Sequence, residues 1–281
     1  MHAHYPIKLL NTWHLGSTVR YFSNPNSLSQ LVDVYEAYRH IPTIWLGQGS
    51  NILFPDHELS SHIIKTNQSL NQINFDDGIY VEAGVALAKI ARYCVRQGYD
   101  DAAFMIGIPG SLGGALMTNA GAYQHEIWNH VTSIRVLTTE GVKTLTPKHF
   151  FITYRQIQPP VGFIAFLSAK LKFNDGSEEK GREKMRTYLL MRNQAQPIGS
   201  LNCGSVFKNP KGRSAGRLID DLGLRGYSIG GARISPVHGN FIENVSNSTS
   251  NDVVKLISLM RRSVWNQYHI RLNLEVKTYG L

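Results

Sequence analysis

The chain has 281 residues, 42% hydrophobic and 17% charged, which is enough to bury about two cores. Its two cysteines, Cys94 and Cys203, lie far apart without metal-ligand spacing, and this argues against a disulfide framework or a thiolate zinc site. The opening MHAHYPIKLL lacks the apolar core of a signal peptide and no run reaches membrane-spanning length, so a cytoplasmic protein is expected. The net charge is +9, and it is lopsided: residues 1–180 hold 14 basic and 14 acidic side chains, residues 181–281 hold 15 and 6. Such an excess suits a nucleic acid or a ligand carrying phosphates, or is simply a solvated basic surface. No zinc finger, aromatic RNP motif or basic heptad accompanies it, which weakens the nucleic-acid reading.

In chain order, Ser27 or Asn26 caps a predicted helix with Leu28, Leu31, Val34, Tyr35 and Tyr38 on one face, and Pro42 follows it. TIWL (43–46) reads as a strand entering GQGSN (47–51), and HIIKT (62–66) as another. IYVEAG (79–84) is a strand, followed by a helix over ALAKIARYCVRQG with Gly98 in the stop position. The glycine-dense stretch IGIPGSLGGALMTNAGAY (106–123) comes next. Strands are predicted at 133–138, 141–146 and 165–173, the last with Ala165, Leu167, Ala169, Leu171 and Phe173 on one face. A helix over 178–194 leads into the basic last third. There Ser214 caps a short helix, ARIS and NFIEN are strand-like, residues 251–268 form an amphipathic helix, and LNLEVKTYG is a final strand. The class is α+β, with three lobes expected over 1–67, 68–194 and 195–281.

Several stretches carry chemistry as candidates. Glycines in IPGSLGGA allow backbone N–H groups to approach a phosphate, although neither a Rossmann fingerprint nor a Walker A sequence is present. A packed glycine turn is the competing reading. Arg155 is either a surface arginine or a clamp for a carboxylate or phosphate. Ser205, in CGSVFKNP, is either a turn serine or a proton donor, since Gly, Ser, Asn and Pro are ordinary turn residues. Glu275 lies in an alternating strand. His238 reads as a structural hydrogen-bonding residue rather than a ligand.

The order of the pieces is more specific than any one of them. NTW (11–13), GQGSN, VEAGV (81–85), IGIPGSLGGA (106–115), NAGAY (119–123), YR (154–155), GSVFKNP (204–210), SAGRLID (214–220), HGNFI (238–242) and LEV (274–276) run collinearly. The series closely resembles the MurB family, the UDP-N-acetylenolpyruvoylglucosamine reductases (UDP-N-acetylmuramate dehydrogenases) of bacterial peptidoglycan synthesis. The resemblance spans essentially the whole chain. It implies the FAD-binding fold of the vanillyl-alcohol oxidase (PCMH) type, with FAD lobes over 1–67 and 68–194 and a substrate lobe over 195–281.

It further implies noncovalent FAD held by Gly47, Gly49, Ser50, Asn51, Ile108, Pro109, Gly110, Ser111, Gly113 and Gly114, with Asn119, Ala120, Gly121 and Ala122 in the same site. Arg155, Ser205 and Glu275 fall where the family has its catalytic arginine, serine and glutamate, and Tyr154, Lys208 and Asn209 where it binds substrate. NADPH would reduce the flavin and leave. The enolpyruvyl ether of UDP-N-acetylglucosamine would then take hydride at C3, with Arg155 and a protonated Glu275 stabilising the enolate-like charge and Ser205 protonating C2. The basic last third would serve the diphosphate and carboxylate of that substrate.

Three departures from the family's pattern stand out: Gln48 where glycine is expected, Ala195 where lysine or threonine precedes the QP pair, and Cys203, expected to be structural. A tyrosine-bearing insertion of one subgroup is absent, which places the chain with the shorter subgroup. A flavin oxidase of the same fold and a nucleic-acid-binding protein are the competing readings. No nucleic-acid, membrane or obligate protein partner is expected.

Overall fold

The computed structural model describes residues 1–75 and 77–280. Strands β1 (His2–Pro6) and β2 (Thr18–Ser23) precede helix α1 (Leu28–Ala37), and β3 (Thr43–Leu46), β4 (Ile52–Leu53), β5 (Leu59–Lys65), β6 (Ile73–Phe75) and β7 (Ile79–Glu82) follow it. Helices α2 (Leu87–Arg96) and α3 (Leu112–Thr118) lead to β8 (Gly121–Ala122), β9 (His125–Glu126), β10 (Val131–Thr138), β11 (Gly141–Leu145), β12 (Phe151–Thr153), β13 (Gln156–Gln158) and β14 (Phe163–Leu171). After helix α4 (Glu178–Ala195) come α5 (Ala215–Asp221), β15 (Ser228–Ile229), β16 (Ala232–Ile234), β17 (Ile242–Asn244), α6 (Ser250–Tyr268) and β18 (Lys277–Thr278). The chain forms two compact units. The first comprises 1–22, 49–62 and 193–281, and the second comprises 23–48 and 63–192.

The second unit is built on an antiparallel five-stranded sheet in the order β11-β10-β14-β7-β6. Ile134 of β10 and Val81 of β7 both lie opposite Ala169 of β14, so β14 runs through the middle. Its central position buries the opposite face of this strand as well. Phe166 and Ser168 are as buried as Ala165, Leu167 and Ala169, because a central strand with both faces covered has no solvent side. Helix α2 turns Leu87, Ile90, Ala91 and Cys94 into the same core and buries Val95 beside α4, and the chain leaves it through Gly98 at φ +89°. On α4, Gly181 is required for close packing, since a Cβ there would meet Val95 Cγ1 at 2.6 Å. Ser27 caps α1 by accepting from the Gln30 N–H at 3.2 Å, which settles the choice between Ser27 and Asn26.

In the first unit β1 and β2 pair antiparallel, and β15, β16 and β17 form a small sheet. Helix α6 begins one residue before the predicted span, with Thr249 and Asp252 making a reciprocal capping box. Its Val253, Leu256, Ile257, Met260 and Val264 are buried in a core with Trp13, Phe207, Leu218 and Ile242. Each such side chain contributes roughly 1.5–3 kcal/mol by burial. The predicted final strand over LNLEVKTYG is mostly irregular. Leu274 bridges Phe207 alone, and only Lys277–Thr278 pairs as a strand, parallel to β4. Two short partners replace one long one, so no continuous ladder forms.

Candidate active site

The GQGSN loop straddles the boundary between the units, with Gly47 and Gln48 in the second and Gly49, Ser50 and Asn51 in the first. In the second unit, a Cβ on Gly47 would lie 2.2 Å from Ser111 Oγ, so only glycine lets this turn approach the IPGSLGG loop so closely. Gln48 Oε1 accepts from the Gly110 N–H at 3.2 Å, and Gly110 itself has φ +123°. A narrow bridge between Ala86 and Ser111 takes further donors: Leu112 N–H goes to Val85 O and Gly113 N–H to Ala83 O. Ile108 N–H is bonded to Met105 O, and Pro109 has no N–H. The nest is therefore narrower than the glycine content implies, and Ser111 and Gly114 are its main-chain candidates.

Asn119 ends α3 in the left-handed conformation, φ +45°. Its Nδ2 donates to Glu126 Oε2 at 2.7 Å and Thr153 O at 3.1 Å. Both partners are acceptors, which fixes the amide's orientation. Its Oδ1 is then buried without a partner. Ser111 and Asn119 flank the seven-residue α3, a helix about 10 Å long. Main-chain donors at one end and an orphaned acceptor at the other fit a group that brings acceptors and donors together, as the diphosphate and ring imide of FAD do.

Arg155 sits in the tight turn between β12 and β13 with φ +54°. Its Nη1 donates to Asn119 O at 3.0 Å, and its Nη2 donates to Gly121 O. Tyr154 is half exposed, and its ring lies 5.2 Å from the Arg155 guanidinium carbon. Tyr123 and Gln124, at the tip of the β8–β9 hairpin, also have positive φ, 52° and 67°. Asn119, Tyr123, Gln124 and Arg155 thus place four non-glycine residues with left-handed backbone on three turns of the second unit. Each costs on the order of 1 kcal/mol or more, and such strain clusters at functional sites. Tyr123 is braced by a face-to-face stack on Tyr188 of α4, 3.8 Å between centroids, and its hydroxyl donates to Tyr188 O at 2.7 Å.

Ser205, Lys208, Asn209 and Glu275 belong to the first unit. The segment 205–208 runs antiparallel beside 273–276: Glu275 N–H donates to Val206 O at 2.8 Å and Lys208 N–H to Asn273 O at 2.9 Å. On its other side Asn240 works three ways. Its carbonyl accepts from Val206 N–H, its Oδ1 from Phe207 N–H, and its Nδ2 donates to Phe207 O. Asn51 donates through Nδ2 to Glu275 O at 3.1 Å and accepts from Lys277 N–H at 3.0 Å. Burial holds the Lys208 ammonium below the usual lysine range, reinforced by Lys277 and opposed by Glu275. Asn209 has its Oδ1 engaged by the Ala215 N–H at the start of α5, which leaves its amide nitrogen as the group to offer a ligand.

Cys203 is buried against Thr12 Oγ1 and Ile52 O, and burial pushes its thiol up, as expected of a structural cysteine. His238 accepts the Asn240 N–H on Nδ1 and packs on Phe241. The basic excess is partly consumed internally: Arg225 pairs with Asp220, Arg233 with Glu243, and Arg261 donates to Leu272 O. Glu126 and the threefold role of Asn240 were missed by sequence reasoning. Asn240 stood inside the quoted HGNFI, but nothing local signals an asparagine bonded to a segment 33 residues away.

Comparison with known proteins gives this arrangement a family. The FAD binding domain family matches residues 19–145, and the C-terminal domain of UDP-N-acetylenolpyruvoylglucosamine reductase matches residues 196–279. UDP-N-acetylenolpyruvoylglucosamine reductase from Coxiella burnetii (strain Dugway 5J108-111) is 36% identical over 98% of this chain and 94% of its own length. The chain belongs to the UDP-N-acetylenolpyruvoylglucosamine reductase family. A MurB relative from Nitrosococcus oceani is 38% identical over 96% of this chain and 91% of its own. The crystal structure of MurB from Thermus caldophilus matches with a TM-score of 0.83 at 28% identity, covering 98% of this chain and 97% of that one. The MurB assignment makes the protein an FAD-dependent oxidoreductase of the α+β, PCMH-type FAD-binding fold.

Proposed function

We propose that the protein reduces the enolpyruvyl group of UDP-N-acetylglucosamine enolpyruvate to UDP-N-acetylmuramate, with NADPH as reductant, in the cytoplasm. The observation that carries this reading is the pairing of 205–208 with 273–276. It puts the serine, lysine and glutamate of the family's substrate motifs on two adjacent extended segments. FAD, when bound, supplies the relay that takes hydride from NADPH and gives it to C3 of the enolpyruvyl group.

The chain's own residues handle binding, charge and the proton. Gly47, Gly49, Ser50 and Asn51, the loop Ile108, Pro109, Gly110, Ser111, Gly113 and Gly114, and the turn Asn119, Ala120, Gly121 and Ala122 form the proposed FAD site. No His or Cys in IPGSLGG can bond the flavin covalently, so acid precipitation releases all of it. Arg155 holds a fixed positive charge in a preformed geometry, suited to negative charge building on the enolpyruvyl carboxylate and C2. Glu275, as the neutral acid, donates a hydrogen bond to the same charge, and Ser205 donates the proton to C2. An enolate carbon is basic enough to take a proton from a hydroxyl without a histidine beside it. Tyr154, Lys208 and Asn209 bind the substrate. In functional terms residues 1–67 and 68–194 serve FAD and 195–281 serve the substrate.

The test begins with the purified protein's spectrum, followed by stopped-flow of each half-reaction. Flavin bands that bleach with NADPH and return on adding the enolpyruvyl substrate without oxygen support the reading. A colourless protein carrying nucleic acid, or rapid oxygen consumption without an enolpyruvyl acceptor, overturns it.

A further inference from the structure

We propose that Glu126 is a positioning residue for Arg155, acting through the side chain of Asn119; this rests on the role proposed above for Arg155. The guanidinium is aimed by two main-chain carbonyls, those of Asn119 and Gly121. Where those oxygens point depends on the turn between α3 and β8, which starts at an asparagine in the left-handed region. Asparagine tolerates that conformation better than other non-glycine residues, and contacts to its side chain select it over the right-handed alternative. Two contacts do so here. Thr153 O, on the strand that leads into the Arg155 turn, takes one Asn119 amide proton, and the Glu126 carboxylate takes the other.

Glu126 holds the same turn a second time, because it lies directly opposite Gly121 across the β8–β9 pair. No side chain fits at Gly121, where a Cβ would sit 2.1 Å from His125 O. The result is a relay from the Glu126 carboxylate to the Asn119 amide, and from the Asn119 and Gly121 carbonyls to Arg155. A hydrogen bond to a carboxylate is about twice as strong as one between neutral groups, so Glu126 is the stronger of the two Asn119 anchors. Without it the Asn119 backbone can leave the left-handed region, which rotates the carbonyls away from the guanidinium. Misplacement of about 1 Å at a charge-stabilising group costs on the order of a hundredfold in rate.

The experiment follows the two half-reactions of the flavin-loaded enzyme separately in Glu126→Ala, Glu126→Gln, Arg155→Ala and the Glu126→Ala/Arg155→Ala double variant. Amide hydrogen exchange of residues 119–122 is measured in parallel on the flavin-free proteins. Glu126→Ala is expected to slow reoxidation by the enolpyruvyl substrate about 10- to 100-fold while flavin reduction by NADPH stays within about twofold. Glutamine keeps a side-chain acceptor, so Glu126→Gln returns reoxidation to within about threefold of wild type. The double variant should be no slower than Arg155→Ala, and exchange at 119–122 should rise in the alanine but not the glutamine variant. A Glu126→Ala enzyme that reoxidises at wild-type speed while Arg155→Ala is slow overturns the inference and leaves the Arg155 role standing. Additive effects in the double variant, or equal slowing of both halves with loss of flavin, overturn it too. Wild-type reoxidation by Arg155→Ala overturns the role of Arg155 itself, and the positioning inference with it.

Discussion

Arg155 and Ser205 are held in place by opposite means. Arg155 is presented by a two-residue turn in a disfavoured backbone conformation, stabilised by carbonyls of another strained turn. Ser205 precedes an extended segment flanked by main-chain hydrogen bonds to 273–276 on one side and to Asn240 on the other. In the role proposed for Arg155 a fixed charge is aimed before substrate arrives, and strain with several anchors gives it one orientation. A hydroxyl rotates to suit its partner, so a few main-chain hydrogen bonds beside it are enough to place it. Preorganisation is concentrated where direction matters.

Removing the hydroxyl breaks the comparison most sharply. Ser205→Ala is expected to slow flavin reoxidation by the enolpyruvyl substrate roughly a hundred- to ten-thousand-fold, the usual range for a general acid. Flavin reduction should be unaffected, since hydride transfer from NADPH takes no proton from Ser205. Stopped-flow absorbance checks both, and Ser205→Cys should retain part of the second rate because a thiol also donates. Near wild-type reoxidation by the alanine variant would leave Ser205 a turn serine.

Next in size is a change that keeps every candidate functional group but removes the Asn240 support of this segment. Asn240→Ala removes two buried hydrogen bonds to Phe207 and leaves a main-chain donor and acceptor unpaired. The expected loss is about 2–4 kcal/mol of stability, at 1–3 kcal/mol for each unsatisfied group with partial relaxation. Urea unfolding measures it. A loss below about 1 kcal/mol would show that the 273–276 side alone supports the segment.

Acid sharpens the comparison by acting on the first unit. His62 is fully buried there, and burial, helped by the amino-terminal charge, lowers its pKa from 6.5 to about 4. Above pH 6.5 the imidazole is neutral in both folded and unfolded chains and its contribution is level. Between about 6.5 and 4 only the unfolded chain takes up the proton, so stability falls with pH across that window. The loss is on the order of 3 kcal/mol. Thermal unfolding of wild type and His62→Gln from pH 7 to 4 should show a shallower decline in the variant; parallel curves would assign the acid sensitivity elsewhere.

The smallest effect has the opposite sign. Gln124 is exposed at the hairpin tip with φ +67°. Gln124→Gly should stabilise the protein by about 0.5–1 kcal/mol by relieving that conformation, with both half-reactions unchanged. Destabilisation in urea would mean that the glutamine side chain holds the turn.

These contrasts also explain what the sequence made legible. The helices over 87–96 and 250–268 follow from apolar spacing and caps, because their burial is set by residues three and four apart. The site residues came from the collinear motif series, and the geometry adds how they are anchored. The carbonyls around Arg155 and the bridge that occupies the loop's N–H groups are long-range pairings of main-chain atoms, which every residue possesses and no composition reveals. The strained turns were invisible for a related reason. Tyr123 and Gln124 adopt left-handed backbone, as a two-residue hairpin turn requires, although glycine and asparagine are the residues that announce it; the Tyr188 stack braces Tyr123 from α4.

The two cysteines give the molecule a pair of built-in clocks. Cys94 lies in the core of the second unit and Cys203 in that of the first, both buried, with the Cys94 thiol pushed up to about 12. Neither can react with a thiol reagent until its surroundings open and let it ionise. The labelling rate of each therefore reads the opening equilibrium of one unit on its own. With only two thiols in 281 residues, a single mass-spectrometric time course of the unmodified protein separates them by peptide. FAD, NADPH or substrate can then be added one at a time, and whichever clock slows names the unit that the ligand tightens.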